Sequence, residues 1–204
     1  MLTFVTPSKN HIQTKMTNLF LTALLSSIIT IIPVKNISFT DKYDDSKATI
    51  IPAAFTSESG DILGKYRIEG IEYGKKTVKE YVSIHPTKGL IIDFGKWHAP
   101  NGFQQFVLVK NNQPRKFEGN PQAKTKKKIR RALCNSINDP YNLFIIESNS
   151  PMTLTEFAKT IQPYCLNAVN LDTGDYAFCK INNKHRSRWA VYNKHKQTNW
   201  IVGD

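Results

Sequence analysis

Two acids stand where an apolar stretch of this chain breaks off. In LNAVNLDTGD, Asp172 follows the last apolar residue, Leu171, and Asp175 comes three residues later. An aspartate at a strand end is either a carboxylate facing a ligand crevice or a cap for a neighbouring loop or helix. Asn170 alternates with Asp172, so in an extended strand the two side chains share a face. The plainer role for that asparagine is to satisfy nearby backbone.

Other residues with chemistry to offer are scattered. The basic run KTKKKIRR, 124–131, is a candidate patch for polyanions, and Lys184, Arg186, Arg188, Lys194 and Lys196 add charge nearer the C-terminus. Trp189, Tyr192 and Trp200 lie among these, as aromatics do on a base-stacking platform. RWAVY, however, alternates like a half-buried strand after the turn INNKHRS, which puts its aromatics in the core or at its rim. Nucleic acid is therefore the weaker reading for a partner. His85, His98, His185 and His195 have no metal-ligand spacing, and neither a metal nor another cofactor is called for. Cys134, Cys165 and Cys179 read most simply as small buried hydrophobes; in an exported chain they also allow one disulfide with a leftover thiol, and spacing does not choose the pair.

The elements that must position Asp172 are legible. Thr153, with Glu156 three residues on, forms a capping box, and Leu154, Phe157, Ala158 and Ile161 then recur at helical spacing until Pro163 stops the helix. NLFIIES precedes this helix and LNAVNL follows it, giving a strand-helix-strand unit of the kind that joins parallel strands. At the carboxyl ends of strands in such units ligands bind, and Asp172 stands at that edge. Upstream, ATIIPAAF (48–55), ILGKYRIEGIEYG, YVSI (81–84), LIID (90–93), QQFVLVK (104–110) and RRALCNS (130–136) are strand candidates punctuated by Gly, Asn, Asp and Pro.

A chain of 204 residues with 40% hydrophobic content buries one sizeable core, so a single domain is expected. Its formal net charge of +12 favours anionic partners: polyanions, anionic membrane surfaces or phosphate-bearing ligands. LFLTALLSSIITII, 19–32, is uncharged and lies behind Lys9 and Lys15. It is short for a transmembrane span and suits the apolar part of an export signal; an uncleaved anchor giving membrane association through the N-terminus is the alternative, and Met16 is an alternative start. The expected division is an export signal or anchor over 1–36 and a domain over 37–204, placing the protein outside the cytoplasm. Residues 33–46 read as an extended leader into the domain.

RRALCNSINDPYNLFIIESNSPMTLTEFAKTIQPYCLNAVNLDTGD resembles the C-terminal core of the phosphodiester glycosidase family. That family shows an arginine opening a strand, a second strand, a threonine-leucine-x-glutamate-leucine-alanine helix, and a strand ending asparagine-leucine-aspartate-glycine-glycine before serines. Arg131, NLFIIES, TLTEFA and Asn170-Leu171-Asp172 match this order. FQQFVLVKNNQP (103–114) and, more loosely, PAAFTSESGDILG (52–64) are similar to upstream elements of the family. The chain departs from the pattern at Thr173, which precedes Gly174 where the family has two glycines, and at Asp175, Tyr176 and Ala177, where it has serines. Pro52 and Thr56 likewise replace an asparagine and a phenylalanine.

The resemblance implies an α/β (α+β), sheet-rich domain whose C-terminal strand-helix-strand unit packs on a mixed sheet. It also implies a hydrolase of sugar phosphodiesters, with a glycosyl phosphodiester or phosphorylated glycan as ligand. Cleaving such a bond needs a cation for the phosphate and carboxylates for an oxocarbenium-like transition state. Arg130 and Arg131 each offer a planar fork for phosphate oxygens, and strand alternation admits only one of them to the site. The resemblance picks Arg131, with Asp172 as the carboxylate and Asn170, Thr173 and Gly174 beside the ligand. Asp175 is read either as a second carboxylate or as a solvated turn residue. Because a glycine and the serines are replaced, a binding module that keeps the fold without turnover is the rival reading.

Overall fold

The computed structural model describes residues 28–57, 59–75, 80–85, 87–173, 179–185 and 198–204. A six-stranded sheet carries, in order, β1 (Ile29–Pro33), β12 (Leu143–Ser148), β11 (Arg131–Ser136), β13 (Cys165–Asn170), β9 (Val107–Lys110) and β10 (Gln113–Pro114). A second sheet runs β15 (Lys184–His185), β14 (Lys180–Ile181), β3 (Thr49–Pro52), β16 (Trp200–Gly203) and β2 (Ser38–Thr40). The third runs β5 (Ile71–Tyr73), β4 (Tyr66–Ile68), β8 (Gly102–Gln104), β6 (Tyr81–His85) and β7 (Gly89–Asp93). Among the described residues two helices, α1 (Pro121–Thr125) and α2 (Leu154–Ile161), complete a sheet-rich α+β domain.

The strand-helix-strand unit forms as β12, α2 and β13. Its two strands run parallel but are not neighbours, because β11 lies between them and pairs antiparallel with both. Among the described residues every ladder is antiparallel, where the crossover unit had suggested a mixed sheet. The reason is local: β11 precedes β12 through the short turn at 137–142, and that hairpin takes the position a parallel neighbour would need. Asn111 and Asn112 turn β9 into β10, and Asn182 and Asn183 turn β14 into β15, all four with positive φ. Asparagine tolerates that left-handed backbone, which matches the twist of a tight hairpin.

The six-stranded sheet has a core on each face. Leu133, Ile145 and Val169 pack toward the other two sheets with Ile51, Phe103 and Ile201. Ala132, Ile146 and Ala168 face α2, which buries Leu154, Phe157, Ala158 and Ile161. Its capping box is complete: Glu156 N–H donates to Thr153 Oγ1 at 3.1 Å, and Thr153 N–H donates to Glu156 Oε2 at 2.9 Å. The Thr153 backbone N–H, and then its hydroxyl, hold the Glu156 carboxyl below its ordinary value. The helix contribution from this acid is therefore present above the ordinary carboxylate pKa and fades as pH falls through the lowered folded value. Thr153→Ala should cost about 1 kcal/mol in denaturant unfolding at neutral pH.

Residues inside the apolar N-terminal run belong to the sheet. Ile29–Pro33 pairs with β12 from Ile29↔Ser148 to Pro33↔Phe144, so packed chain begins ahead of residue 37, and β2 lies within the stretch read as a leader. No helix among the described residues is long and apolar enough to cross a membrane. Cys134 and Cys165 form a disulfide between β11 and β13, with Cα atoms 5.6 Å apart, and Cys179 is buried outside it. Of the three, only Cys179 thus remains a buried thiol. Trp200 is core, packed with Ile50 and Val202; Trp189 and Tyr192 lie outside the described residues.

Candidate functional site

At its end β13 leaves one sheet for another. The Leu171 N–H still donates to the Arg131 carbonyl at 2.9 Å, but the next N–H, that of Asp172, donates to the Ala53 carbonyl at 3.1 Å, just beyond β3. Ala53 and Ala54 are themselves held by the buried Asn199. Its carbonyl accepts from Ala53 N–H at 3.4 Å, its Oδ1 accepts from Ala54 N–H at 2.6 Å, and its Nδ2 donates to the Ala54 carbonyl at 3.2 Å. An amide that offers one residue both an acceptor and a donor substitutes for a strand partner. The backbone under Asp172 is thus fixed from three segments distant in sequence.

Asp172 and Thr173 are half-buried and line a cavity of about 240 Å³. Arg130, Lys126 and Lys128 line the same cavity, and so do Phe55 and Phe106, whose rings meet edge to face with centroids 6.0 Å apart. The acid in this lining is Asp172, set among three cations. The volume falls just under the range of about 300–1,000 Å³ usual for drug-sized ligands, which suits a single sugar and its phosphate. A larger cleft of about 600 Å³ opens elsewhere, along Val34–Ser38 and past His85, Asn101 and Tyr141, with no carboxylate in its lining.

Of the adjacent arginines, Arg130 is the one in the cavity wall. Its Nε donates to the Met152 carbonyl at 2.9 Å and its Nη2 to the Lys126 carbonyl at 2.5 Å. Arg131 lies behind it, buried, with Nε and Nη2 both on Glu147 Oε2 at 2.9 and 2.7 Å. Burial works against the Arg131 charge, but Cys179, Glu147 and Asp172 more than offset it and hold the guanidinium above its ordinary value. Where the resemblance picks Arg131 for the site, Arg130 is the arginine in this cavity's lining and Arg131 is not. Arg130 precedes the first residue of β11, so its side chain swings toward the loops around Lys126 and Met152 while Arg131 takes the cross-strand position opposite Glu147.

Asn170 is buried beside Ala132, donating from Nδ2 to the Leu171 carbonyl at 3.1 Å. Its Oδ1 and Arg131 Nη1 have no hydrogen-bond partner among the described residues. Gly174 and Asp175 lie outside the described residues. Among those described, no group of three His, Cys, Asp or Glu side chains gathers as metal ligands, and His98 instead meets Asp93 at 2.6 Å.

Sequence reasoning did not single out Glu147, Asn199 or Phe106, and it carried the cavity-wall lysines only as part of the basic run 124–131. Glu147 alternates with Ile145 in NLFIIES and shares its face with Arg131, a relation that appears only once the strand register is known.

No protein-family model and no curated protein matches the sequence. Solved structures do match in three dimensions. The catalytic domain of zebrafish N-acetylglucosamine-1-phosphodiester alpha-N-acetylglucosaminidase, auto-inhibited by its pro-peptide, superposes with a TM-score of 0.56 at 13% identity, over 88% of this chain and 73% of that one. A hypothetical protein from Synechocystis superposes with a TM-score of 0.51 at 13% identity, over 85% of this chain and 56% of the other. At such identity the likeness is one of fold: this chain has a glycosidase-like fold, distantly related in structure to that catalytic domain.

Proposed function

We propose that the protein is an exported hydrolase that cleaves a sugar from a phosphodiester in the cavity at the end of β13. The observation that carries this reading is the meeting of Arg130, Lys126, Lys128 and Asp172 in one small cavity. Arginine and lysines neutralise the phosphate and help it depart, since the phosphate monoester expelled from the sugar takes the electron pair of the broken C–O bond and its added negative charge is balanced by nearby cations. Phe55 and Phe106 offer apolar ring surface to a sugar face, and the Asp172 carboxylate meets charge that develops at the anomeric carbon. Arg131 and Glu147 act from behind, as a fixed pair under the cavity floor. The fold supports the reading, because the zebrafish neighbour is by name a phosphodiester glycosidase. The Cys134–Cys165 disulfide supports export, since such bonds persist in oxidising compartments.

Purified protein should release free sugar from at least one member of a panel of glycosyl phosphodiesters, and none from the matching glycosides that lack phosphate. Failure to release or bind any member would overturn the reading. A second reading, a binding module without turnover, is favoured by Thr173, whose side chain stands in the cavity lining where the family resemblance expects glycine. Under it, calorimetry should show binding of a glycosyl phosphodiester with no sugar released, and Arg130→Met should abolish that binding.

A further inference from the structure

The basic run contributes more than its two cavity-lining lysines. Lys124 is exposed in the last turn of α1, and the segment that leaves the helix carries exposed Lys126 and Lys127 and half-buried Lys128, of which Lys126 and Lys128 line the cavity. This segment is tied down. Lys126 N–H donates to the Gln122 carbonyl at 2.9 Å, and the Lys126 carbonyl accepts from Arg130. Lys128 exchanges two backbone bonds with Met152, at 3.0 and 2.8 Å. Against four lysines the acids named near this stretch are Asp172, in the cavity lining with Lys126 and Lys128, and Glu156, 4.0 Å from Lys127 and already engaged in capping α2. Fixing like charges side by side costs self-repulsion that a loose loop would relieve. Cations carried on anchored backbone in and beside a cavity are preorganised for more than one anion.

The cavity, by contrast, has room for one sugar and its phosphate. We infer, resting on the function proposed above, that the substrate is a chain of repeated sugar phosphodiesters. The cavity takes the terminal unit, while Lys124 and Lys127 hold phosphates further along. Binding then gains with each added phosphate until these cations are matched, and the gain is electrostatic, so salt erases it.

The test uses synthetic sugar-phosphate oligomers of one to four units, with single-stranded DNA of equal phosphate number as the competing polymer. The unmodified protein should bind the longer oligomers roughly tenfold or more tighter than the single unit at low salt, with the difference closing as salt rises. Lys124→Glu combined with Lys127→Glu should remove most of that difference and leave affinity and turnover for the single unit unchanged. If the single unit binds and longer oligomers bind no better, the inference fails and the proposed function stands. If the single unit does not bind at all, both fall together. Equal gain with the DNA oligomers would overturn the sugar-phosphate assignment in favour of a general polyanion groove. The salt titration on unmodified protein decides the matter even if the double variant folds poorly.

Discussion

Glu147→Ala should destabilise the fold by about 3–5 kcal/mol, because it leaves the Arg131 guanidinium buried with one of its counter-charges gone. Both side chains of the pair are well covered, at 5% and 15% exposure, so solvent screens them little. Burial already opposes the Arg131 charge, and of the carboxylates that offset it Asp172 alone of the two would remain. For a domain of this size the loss corresponds to a fall in Tm of about 6–20 °C. Glu147→Gln keeps an acceptor for the guanidinium and should lose less. Urea unfolding of the two variants checks this, and a change below about 1 kcal/mol for Glu147→Ala would mean that the pair is not held dry in solution. Replacing both residues together by apolar ones of similar volume should cost less than Glu147→Ala alone, since no stranded charge then remains.

Asp172→Asn should lower kcat by about 10²–10⁴-fold on a glycosyl phosphodiester, the scale on which a positioned acid-base group acts. The substitution keeps the backbone N–H that bonds the Ala53 carbonyl, so the fold and the lysine-arginine wall should persist. Calorimetry on the same variant should find ligand binding retained, even tightened, because an uncharged side chain no longer repels phosphate. Loss of turnover with binding intact separates a role in bond cleavage from one in holding the chain. Undiminished turnover would remove Asp172 from the chemistry.

What the sequence disclosed followed from local rules. The capping box at Thr153 and Glu156 marked the start of α2 and the apolar spacing its buried face. Alternation and asparagine turns located β9, β11, β12 and β13. These signals sit within a few residues of what they specify. Hydropathy alone does not separate an export segment from a sheet strand, and the last residues of the apolar run, from Ile29, pair with β12 as an edge strand. The site was half legible. Asp172 stood out as an acid at a strand end, but its backbone rests on Ala53, in a stretch held by Asn199, which lies 145 residues beyond Ala54 with no local trace. The choice between Arg130 and Arg131 depended on where β11 begins, a boundary that alternation does not locate. The resemblance in the stretch 52–64 was loose, yet Ala53 and Phe55 sit directly against Asp172 and its cavity.

The most direct measurement is a crystal structure of Asp172→Asn soaked with a glycosyl phosphodiester that the protein binds. The phosphate should lie within hydrogen-bond reach of Arg130 or Lys128, with the sugar against Phe55 and Phe106 and its anomeric carbon toward residue 172. Density for the ligand in the larger cleft beside His85 and Tyr141, with the β13 cavity unfilled, would contradict the account.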